Sequence, residues 1–144
     1  MKQKVFIFDI DGTLSDCSHR LHFIQQKTPD WDAFYSQCLN DAPKEDVCRV
    51  CRELSYPVIY ITGRTQNVRM ETDKWLVYND LPHGMLFMRA SGDHRPDYEL
   101  KKEIYEKHIK DRYDVIGVFE DRDQVVKMWR SLGLTCFQVA DGSY

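Results

Sequence analysis

The chain has 144 residues, of which 42% are hydrophobic and 30% are charged, and its formal net charge is −3. This size and composition are typical of one folded domain with its own core, and they exclude a disordered chain or a strongly basic protein that coats nucleic acid. No apolar stretch reaches the roughly 18 residues that a bilayer crossing needs, and no signal-peptide pattern precedes the first apolar run. The five cysteines form no dense disulfide framework, so we expect a cytoplasmic setting.

Continuous apolar runs predict the strands of a parallel sheet that is covered on both faces. These runs lie at residues 5–8, 58–62, 85–88, 115–119 and 135–139. Segments with helical spacing of apolar residues separate them, at residues 46–54, 66–78, 98–108 and 124–132. Gly133 follows the last segment in the position of a helix C-cap. The alternation predicts an α/β domain of three layers, α/β/α, with a mainly parallel sheet and right-handed crossovers.

Residues 15–45 break this alternation. They contain no strong strand pattern, whereas Trp31, Phe34, Tyr35 and Leu39 lie at helical spacing. We therefore expect a small helical insert after the first strand, close to the ligand site, within a single domain of residues 1–144. An aromatic stripe of this kind is more often part of a core, but it is also what a platform for a nucleobase requires.

Polar residues follow three of the predicted strands, at the edge where open parallel sheets bind their ligands. In chain order, these strand endings are Asp9-Ile-Asp11-Gly-Thr, Thr62-Gly63-Arg64 and Glu120-Asp121-Arg122. Four carboxylates gathered at one edge would repel one another and raise one another's pKa unless a cation lay among them. Since only oxygen ligands are available, the sequence predicts a hard cation such as Mg²⁺.

The motifs FDIDGT at residues 8–13 and ITGR at residues 61–64, with a downstream lysine and a pair of acids after a strand, resemble the four motifs of the haloacid dehalogenase superfamily. A narrower similarity, to the 3′-phosphatase domain of phage-type polynucleotide kinase/phosphatase, extends from residue 5 to the end of the chain. It includes Arg20 and the stretches GDHRPDYELKKEIYEKHI and EDRDQVVKMWRSLGLTCFQVADGSY. The resemblance implies a Rossmann-like core and an Mg²⁺-dependent phosphatase, cytoplasmic in the host cell if a phage encodes it. No kinase P-loop, GxxxxGK[ST], occurs in the chain, so the resemblance concerns the phosphatase half.

The resemblance also implies catalytic roles. Asp9 is expected to be the nucleophile that takes the phosphoryl group as an acyl phosphate, and Asp11 the general acid and base. Both side chains point to the same side of an extended chain because the residues are two apart. Lys101, in preference to the adjacent Lys102, is expected to place its charge on the phosphoryl group and the nucleophile. Asp97 is expected to orient that lysine from one helical turn away.

The other expected site residues bind phosphate or metal. The phosphate-binding set comprises Thr62, Gly63, Arg64, Arg20 and Asp97. The metal ligands comprise Asp9, Asp11 through its backbone carbonyl, Asp121 and Glu120. Glu120 stands where the resembled family has aspartate, so its direct contact with the metal is open at this point. Asp123 is expected to cap the following helix.

Together with the strand endings, the resemblance implies an Mg²⁺-dependent phosphatase that works through a phospho-aspartate and removes 3′-phosphates from DNA or RNA ends. One alternative keeps the chemistry but changes the substrate to a mononucleotide or a small phosphoester. A second alternative is a non-catalytic module that binds phosphate ends, although a pure binder would need no acid at Asp11. The expected partners are a nucleic-acid end or a nucleotide, with a separate kinase or ligase as a further possibility and no membrane.

Overall fold

The structure is a computed structural model that describes residues 1–144. In chain order the strands are β1 (Gln3–Phe8), β2 (Ser15–Asp16), β3 (Ala42–Pro43), β4 (Val58–Thr65), β5 (Met85–Arg89), β6 (Tyr113–Glu120) and β7 (Cys136–Gln138). The α-helices are α1 (Trp31–Ser36), α2 (Glu45–Glu53), α3 (Arg69–Tyr78), α4 (Asp97–Ile104) and α5 (Asp123–Ser131). The other helical segments are three 3₁₀ turns and one π-helical turn, namely Ser18–Phe23, Cys38–Asn40, Gln66–Val68 and Tyr105–Ile109. None of these helices combines the length and the apolar character that a bilayer crossing requires.

Strand β1 is the centre of a five-stranded parallel sheet with the order β5-β4-β1-β6-β7. It pairs with β4 through Phe6 opposite Val58, and with β6 through Phe8 opposite Phe119. The predicted α/β fold with a mainly parallel sheet is thus confirmed. The order of the strands also brings the carboxyl ends of β4, β1 and β6 side by side, which is where the candidate site lies.

The two faces of the sheet bury separate hydrophobic clusters, because side chains alternate along each strand. Phe6 and Phe8 of β1 lie in one cluster, with residues of α2 and α3. Val5 and Ile7 lie in the other cluster, with residues of α4 and α5 that include the fully buried Trp129. Helices therefore cover both faces, which gives the three layers that the sequence predicts.

The segment of residues 15–45 contains less α-helix than predicted. Helix α1 covers only six residues, and two 3₁₀ turns flank it. The two ends of the segment pair as an antiparallel ribbon, with β2 beside β3. A strand of two residues has no measurable periodicity, so the sequence pattern could not indicate this ribbon.

The two ends of α5 give one confirmed prediction and one that is wrong. Gly133 follows the helix with a φ of +83°, the left-handed conformation expected of a C-cap glycine. Asp123 does not cap the helix, because Arg122 occupies the cap position and Asp123 is already helical. The Asp123 carboxylate instead accepts a hydrogen bond of 2.6 Å from Nε2 of Gln138, which ties the start of α5 to β7.

Candidate active site

The carboxyl ends of β1 and β4 open into a cleft of about 650 Å³. Asp9, Asp11 and Thr62 line this cleft, as the strand endings predict. Trp31 of α1 contributes to one part of the wall, and residues 91–97 contribute to another. The cleft is therefore built from the sheet edge, the insert and the loop before α4.

Asp9, which lines the cleft, belongs to a group of four buried side chains that we call the carboxylate–lysine cluster: Asp9, Lys101, Glu120 and Asp121. Each is at most 6% exposed. Lys101 Nζ donates to Asp9 Oδ1 at 2.7 Å and to Glu120 Oε2 at 2.9 Å. The neighbouring Lys102 is exposed, so Lys101 is the lysine that reaches the cluster.

The carboxylate–lysine cluster carries more negative charge than its lysine can neutralise. Burial raises the pKa of Asp9 well above its ordinary value, and the charge of Glu120 adds to this effect. Burial also raises the pKa of Glu120. Oxygen atoms of Asp9, Glu120 and Asp121 all lie within 4.8 Å of one another. A buried set of oxygen ligands with excess negative charge fits a hard divalent cation.

The DGT turn after β1 places the carboxylates of this cluster. Thr13 is fully buried, and its hydroxyl donates to Asp9 Oδ2 at 2.9 Å with Asp121 Oδ1 as a second acceptor at 3.3 Å. Gly12 has a φ of +83°, and a β-carbon at this position would overlap the Asp121 carboxylate. Glycine is therefore required here both for its backbone conformation and for the close approach of Asp121.

Four further side chains form a second group, the arginine–aspartate cluster: Arg20, Arg64, Asp11 and Asp41. Arg20 and Arg64 have no exposed surface. Arg20 Nη2 donates at 2.6 Å to both Asp11 Oδ1 and Asp41 Oδ2. Arg64 Nη2 donates to Asp11 Oδ1 at 2.7 Å and to Asp41 Oδ2 at 3.2 Å. The two guanidinium groups that the sequence predicts at the phosphate are thus bound to two aspartates of the protein.

These arginines determine the charge state of Asp11. Burial alone would raise the pKa of Asp11, but the charges of Arg64 and Arg20 outweigh burial and hold the pKa below its ordinary value. Asp9 and Asp11 share the same cleft, as predicted, yet their carboxylates belong to different clusters. The ionised form of Asp11 that results is the form that accepts a proton.

The turn at Thr62 and Gly63 lies beside the cleft. Thr62 Oγ1 accepts the backbone N–H of Arg64 at 3.1 Å, which leaves the proton of its own hydroxyl to donate. Asp97 packs against Gly63, where a β-carbon would lie 2.5 Å from Asp97 Oδ1.

The prediction that Asp97 orients Lys101 is wrong. One Asp97 oxygen accepts from Arg89 Nη2 at 2.6 Å, and the other accepts from Arg122 Nη1 at 2.9 Å. Helical spacing brings two residues to one face, but two arginines offer this carboxylate closer partners than the lysine does. Lys101 is oriented by Asp9 and Glu120 instead.

Sequence reasoning missed several residues of the site. Asp41 is 5% exposed and is fixed by Trp75, whose Nε1 donates to its backbone oxygen at 2.8 Å. No motif marks it, because an aspartate before a helix reads as an ordinary helix entry. Arg89 ends β5, so the strand-end rule that was applied to β1, β4 and β6 could have identified it. Tyr144, whose hydroxyl donates to Asp121, carries no sequence signal that would have indicated this contact.

Known proteins resemble this chain over its whole length. A family model described as the polynucleotide kinase PNKP phosphatase domain matches residues 3–144. A protein of Autographa californica nuclear polyhedrosis virus, named as a bifunctional polynucleotide kinase/RNA ligase, is 31% identical over an alignment 142 residues long that covers 94% of this chain and 19% of that protein. A chain in a solved structure of a Pnkp1/Rnl/Hen1 complex superposes with a TM-score of 0.84 and 32% identity, over 99% of this chain and 47% of that chain.

A more distant structure shares the fold alone. The class C acid phosphatase from Bacillus anthracis, solved with tungstate bound, superposes with a TM-score of 0.69 at 15% identity, over 100% of this chain and 69% of that chain. The present chain spans about a fifth of the viral relative and about half of the matched chain in the Pnkp1/Rnl/Hen1 complex.

The arginine–aspartate cluster predicts a large stability effect at Asp41. Asp41→Asn keeps the size of the side chain but leaves the buried Arg20 and Arg64 with one carboxylate fewer. We expect the free energy of unfolding to fall by about 3–5 kcal/mol, measured by urea denaturation. Glu45→Gln is the control, because Glu45 forms a surface pair with Arg52 and is expected to change stability by about 0–1 kcal/mol. Equal effects of the two substitutions would contradict the importance of the buried cluster.

Proposed function

This chain belongs to the family of polynucleotide kinase phosphatase domains, and we propose that it removes 3′-phosphates from nucleic-acid ends in an Mg²⁺-dependent reaction. Membership of this family makes it a phosphatase domain of the haloacid dehalogenase type. One observation carries the finer proposal. Asp9 lies at the floor of an open cleft with Lys101 on one carboxylate oxygen and Thr13 on the other. Both hydrophobic clusters share one sheet, which supports a single domain over residues 1–144 with residues 15–45 as its insert.

In the proposed reaction, Asp9 is the nucleophile. One of its oxygens attacks the phosphorus, the bond between phosphorus and the 3′-oxygen breaks, and an acyl phosphate forms on Asp9. Water then attacks this phosphorus, which releases inorganic phosphate and restores the carboxylate. Lys101 donates to Asp9 and offsets charge on the transferring phosphoryl group. Mg²⁺, held by Asp9, Asp121, Glu120 and the backbone carbonyl of Asp11, would neutralise further negative charge on the phosphoryl oxygens.

We assign proton transfer to Asp11. Its carboxyl group would protonate the leaving 3′-oxygen in the first step and take a proton from the attacking water in the second. Arg20 and Arg64 favour the ionised form, which is the form the second step needs. A phosphate entering the cleft brings negative charge close to Asp11, which opposes the arginines and favours the protonated form needed first.

The remaining groups bind and position the phosphate. The Thr62 hydroxyl and the backbone N–H of Gly63 are the proposed direct donors, since both residues line the cleft. Arg20 and Arg64 are bound to Asp11 and Asp41, so we propose that they act by their positive potential and by holding Asp11 in place. Asp97 packs against Gly63 and accepts hydrogen bonds from Arg89 and Arg122, so we propose that it supports this turn rather than touching an anionic phosphate.

The relatives support the choice of a 3′-end. The viral relative is named as a polynucleotide kinase and RNA ligase, and a second structure with a TM-score of 0.82 is titled as a Pnkp1/Rnl/Hen1 RNA repair complex. Removal of a 3′-phosphate leaves a 3′-hydroxyl, which is the group that a ligase joins to a 5′-phosphate. We therefore propose that kinase and ligase activities work with this domain, in the same assembly or as separate proteins.

The covalent mechanism predicts the behaviour of Asp9→Asn. We expect the rate of phosphate release from a 3′-phosphorylated oligonucleotide in Mg²⁺ to fall by roughly 10³-fold or more, because the amide cannot form the acyl phosphate. Protein quenched in acid after reaction with 3′-³²P-labelled substrate should carry label in the wild type and not in the variant. The control is Asp16→Asn, which replaces an exposed aspartate of β2 and should leave the activity at the wild-type level. Substantial Mg²⁺-dependent turnover by Asp9→Asn would contradict the covalent mechanism.

The cation site predicts a binding defect that can be measured without substrate. Isothermal titration with Mn²⁺ should show one site, and Asp121→Asn should weaken this binding at least roughly 10-fold because a buried oxygen ligand loses its charge. Chelation with EDTA should abolish phosphatase activity, and added Mg²⁺ should restore it. Asp114→Asn, at an exposed position of β6, should bind Mn²⁺ like the wild type. Equal Mn²⁺ affinity in all three proteins would place the cation elsewhere.

The proposed substrate class predicts a preference for a polymer end. The value of kcat/KM should be higher for a 3′-phosphorylated oligonucleotide than for the matching 3′-mononucleotide, measured by phosphate release at equal Mg²⁺. A much higher value for the mononucleotide would show that the domain is a nucleotidase with the same chemistry.

A further inference from the structure

We propose that Trp31 is the stacking platform for the base of the 3′-terminal nucleotide, a subsite that rests on the proposed function. The phosphate lies at Asp9 in that reaction, so the sugar and base of the same nucleotide must occupy the rest of the cleft. The wall that contains Trp31 has aromatic faces that a base can stack on. Tyr144 also lines the cleft, but its hydroxyl is bound to Asp121 and its ring lies against Arg122.

The exposure of Trp31 is unlike that of the other tryptophans. Trp75 is 1% exposed and Trp129 is 0% exposed, whereas Trp31 is 48% exposed. The chain has three tryptophans in all. An exposed aromatic residue alone does not indicate a site, because scattered apolar surface is normal in folded proteins. The position of Trp31 is therefore the decisive observation.

Trp31 is held at the cleft by two other aromatic residues. Its ring stacks on Tyr35 with the centroids 5.9 Å apart and an angle of 29° between the planes. Phe34 meets it edge to face with the centroids 5.7 Å apart. Phe34 is itself buried over the guanidinium of Arg20, 4.3 Å from the ring centroid. The arginine–aspartate cluster thus anchors the aromatic wall.

The aromatic wall is also tied to the proposed phosphate site. The Tyr35 hydroxyl donates to the backbone oxygen of Gly63 at 3.1 Å, and Arg89 Nε donates to the same oxygen at 2.9 Å. Gly63 follows Thr62, so the wall and the phosphate-binding turn are joined by a direct hydrogen bond. This bond ties Tyr35, on which the Trp31 ring stacks, to the turn that is proposed to bind the phosphate, as a subsite for one nucleotide requires.

The chemistry of the wall favours a nucleobase. A base has two apolar faces and polar edges, and stacking on an indole covers a face while the edges stay in water. Residues 91–97 line another part of the cleft and include the polar side chains of His94 and Arg95, which can meet those edges, although Arg95 is itself paired with Asp93 and Glu103. Because every base has such a face, the subsite should bind all terminal bases with little preference.

Tryptophan fluorescence tests the contact directly. Since Trp75 and Trp129 are buried, quenching of the indole emission by a bound oligonucleotide reports on Trp31. With Asp9→Asn as the background to prevent turnover, a 3′-phosphorylated oligonucleotide should quench the emission. The same oligonucleotide with a tetrahydrofuran abasic residue at its 3′-terminus should not. Quenching of equal size by both, or by neither, would overturn the proposal.

Kinetics separate stacking from a structural role of Trp31. Trp31→Ala should lower kcat/KM for the 3′-phosphorylated oligonucleotide by about 5- to 100-fold, mainly through KM, and Trp31→Phe should restore most of the loss. The abasic-ended substrate should be hydrolysed equally by the wild type and Trp31→Ala. Tyr78→Ala, at an aromatic residue of α3 that is 70% exposed and outside the cleft, is the control with wild-type kinetics.

The outcomes also distinguish this proposal from the proposed function. If the wild type hydrolyses the oligonucleotide and Trp31→Ala does so equally well, the stacking proposal is overturned and the function stands. Equal losses for the base-containing and abasic substrates would also overturn stacking. If the wild type hydrolyses neither 3′-phosphorylated oligonucleotide, the proposed function itself fails, and the subsite fails with it.

Discussion

Buried negative charge at the carboxyl edge of the sheet is the constraint on which the site depends. Most of it belongs to two clusters, whose carboxylates are Asp9, Asp11, Asp41, Glu120 and Asp121, each of them buried or half-buried. The half-buried Asp97 lies outside both clusters and is paired with Arg89 and Arg122. Ionised groups of this kind are stable in a protein interior only when opposite charges and hydrogen bonds compensate for the lost water. The compensating groups come from the insert, from β4 and from α4, namely Arg20, Arg64 and Lys101. Ion pairs between these side chains thus hold together segments that are far apart in the chain.

The division of these charges into two clusters explains how one edge of the sheet can provide both a proposed cation site beside the nucleophile and a proposed proton carrier. In the arginine–aspartate cluster, two guanidinium groups face two carboxylates, so the cluster is balanced without help. In the carboxylate–lysine cluster, one ammonium group faces three carboxylates. Only the carboxylate–lysine cluster has excess negative charge for a divalent cation to neutralise. The proposed nucleophile and the proposed proton carrier are only two residues apart in the chain, but they lie in environments that push the pKa of one carboxyl up and of the other down.

Much of this architecture could be predicted from the sequence, because periodic patterns and strand endings are local signals. The apolar runs gave the five parallel strands, and the strand-end rule brought Asp9, Thr62 and Asp121 to one edge. What could not be predicted were partners chosen by tertiary geometry. Nothing around Asp41 shows that two buried arginines meet there, and helical spacing indicated Lys101 as the partner of Asp97 when Arg89 and Arg122 were closer. Charged side chains have long reach and several competing partners, so spacing along one helix does not decide between them.

The hydrogen bonds of Glu120 indicate what this residue does at a position where the family that the sequence resembles has aspartate. Both oxygens of Glu120 already have donors within the protein: Oε2 accepts from Lys101 at 2.9 Å, and Oε1 accepts the backbone N–H of Asp121 at 3.1 Å. The extra methylene group of glutamate lets a single carboxylate reach the Lys101 ammonium group with one oxygen and the backbone N–H of Asp121 with the other. Glu120 thus fixes Lys101 and the backbone of Asp121 in addition to its proposed contact with the cation. Asp9 and Asp121 also have a donor on each oxygen, from Lys101 and Thr13 for Asp9 and from Thr13 and Tyr144 for Asp121. The longer side chain therefore keeps the negative charge of this edge unchanged, and it also supports the lysine and the strand end beside the proposed cation site.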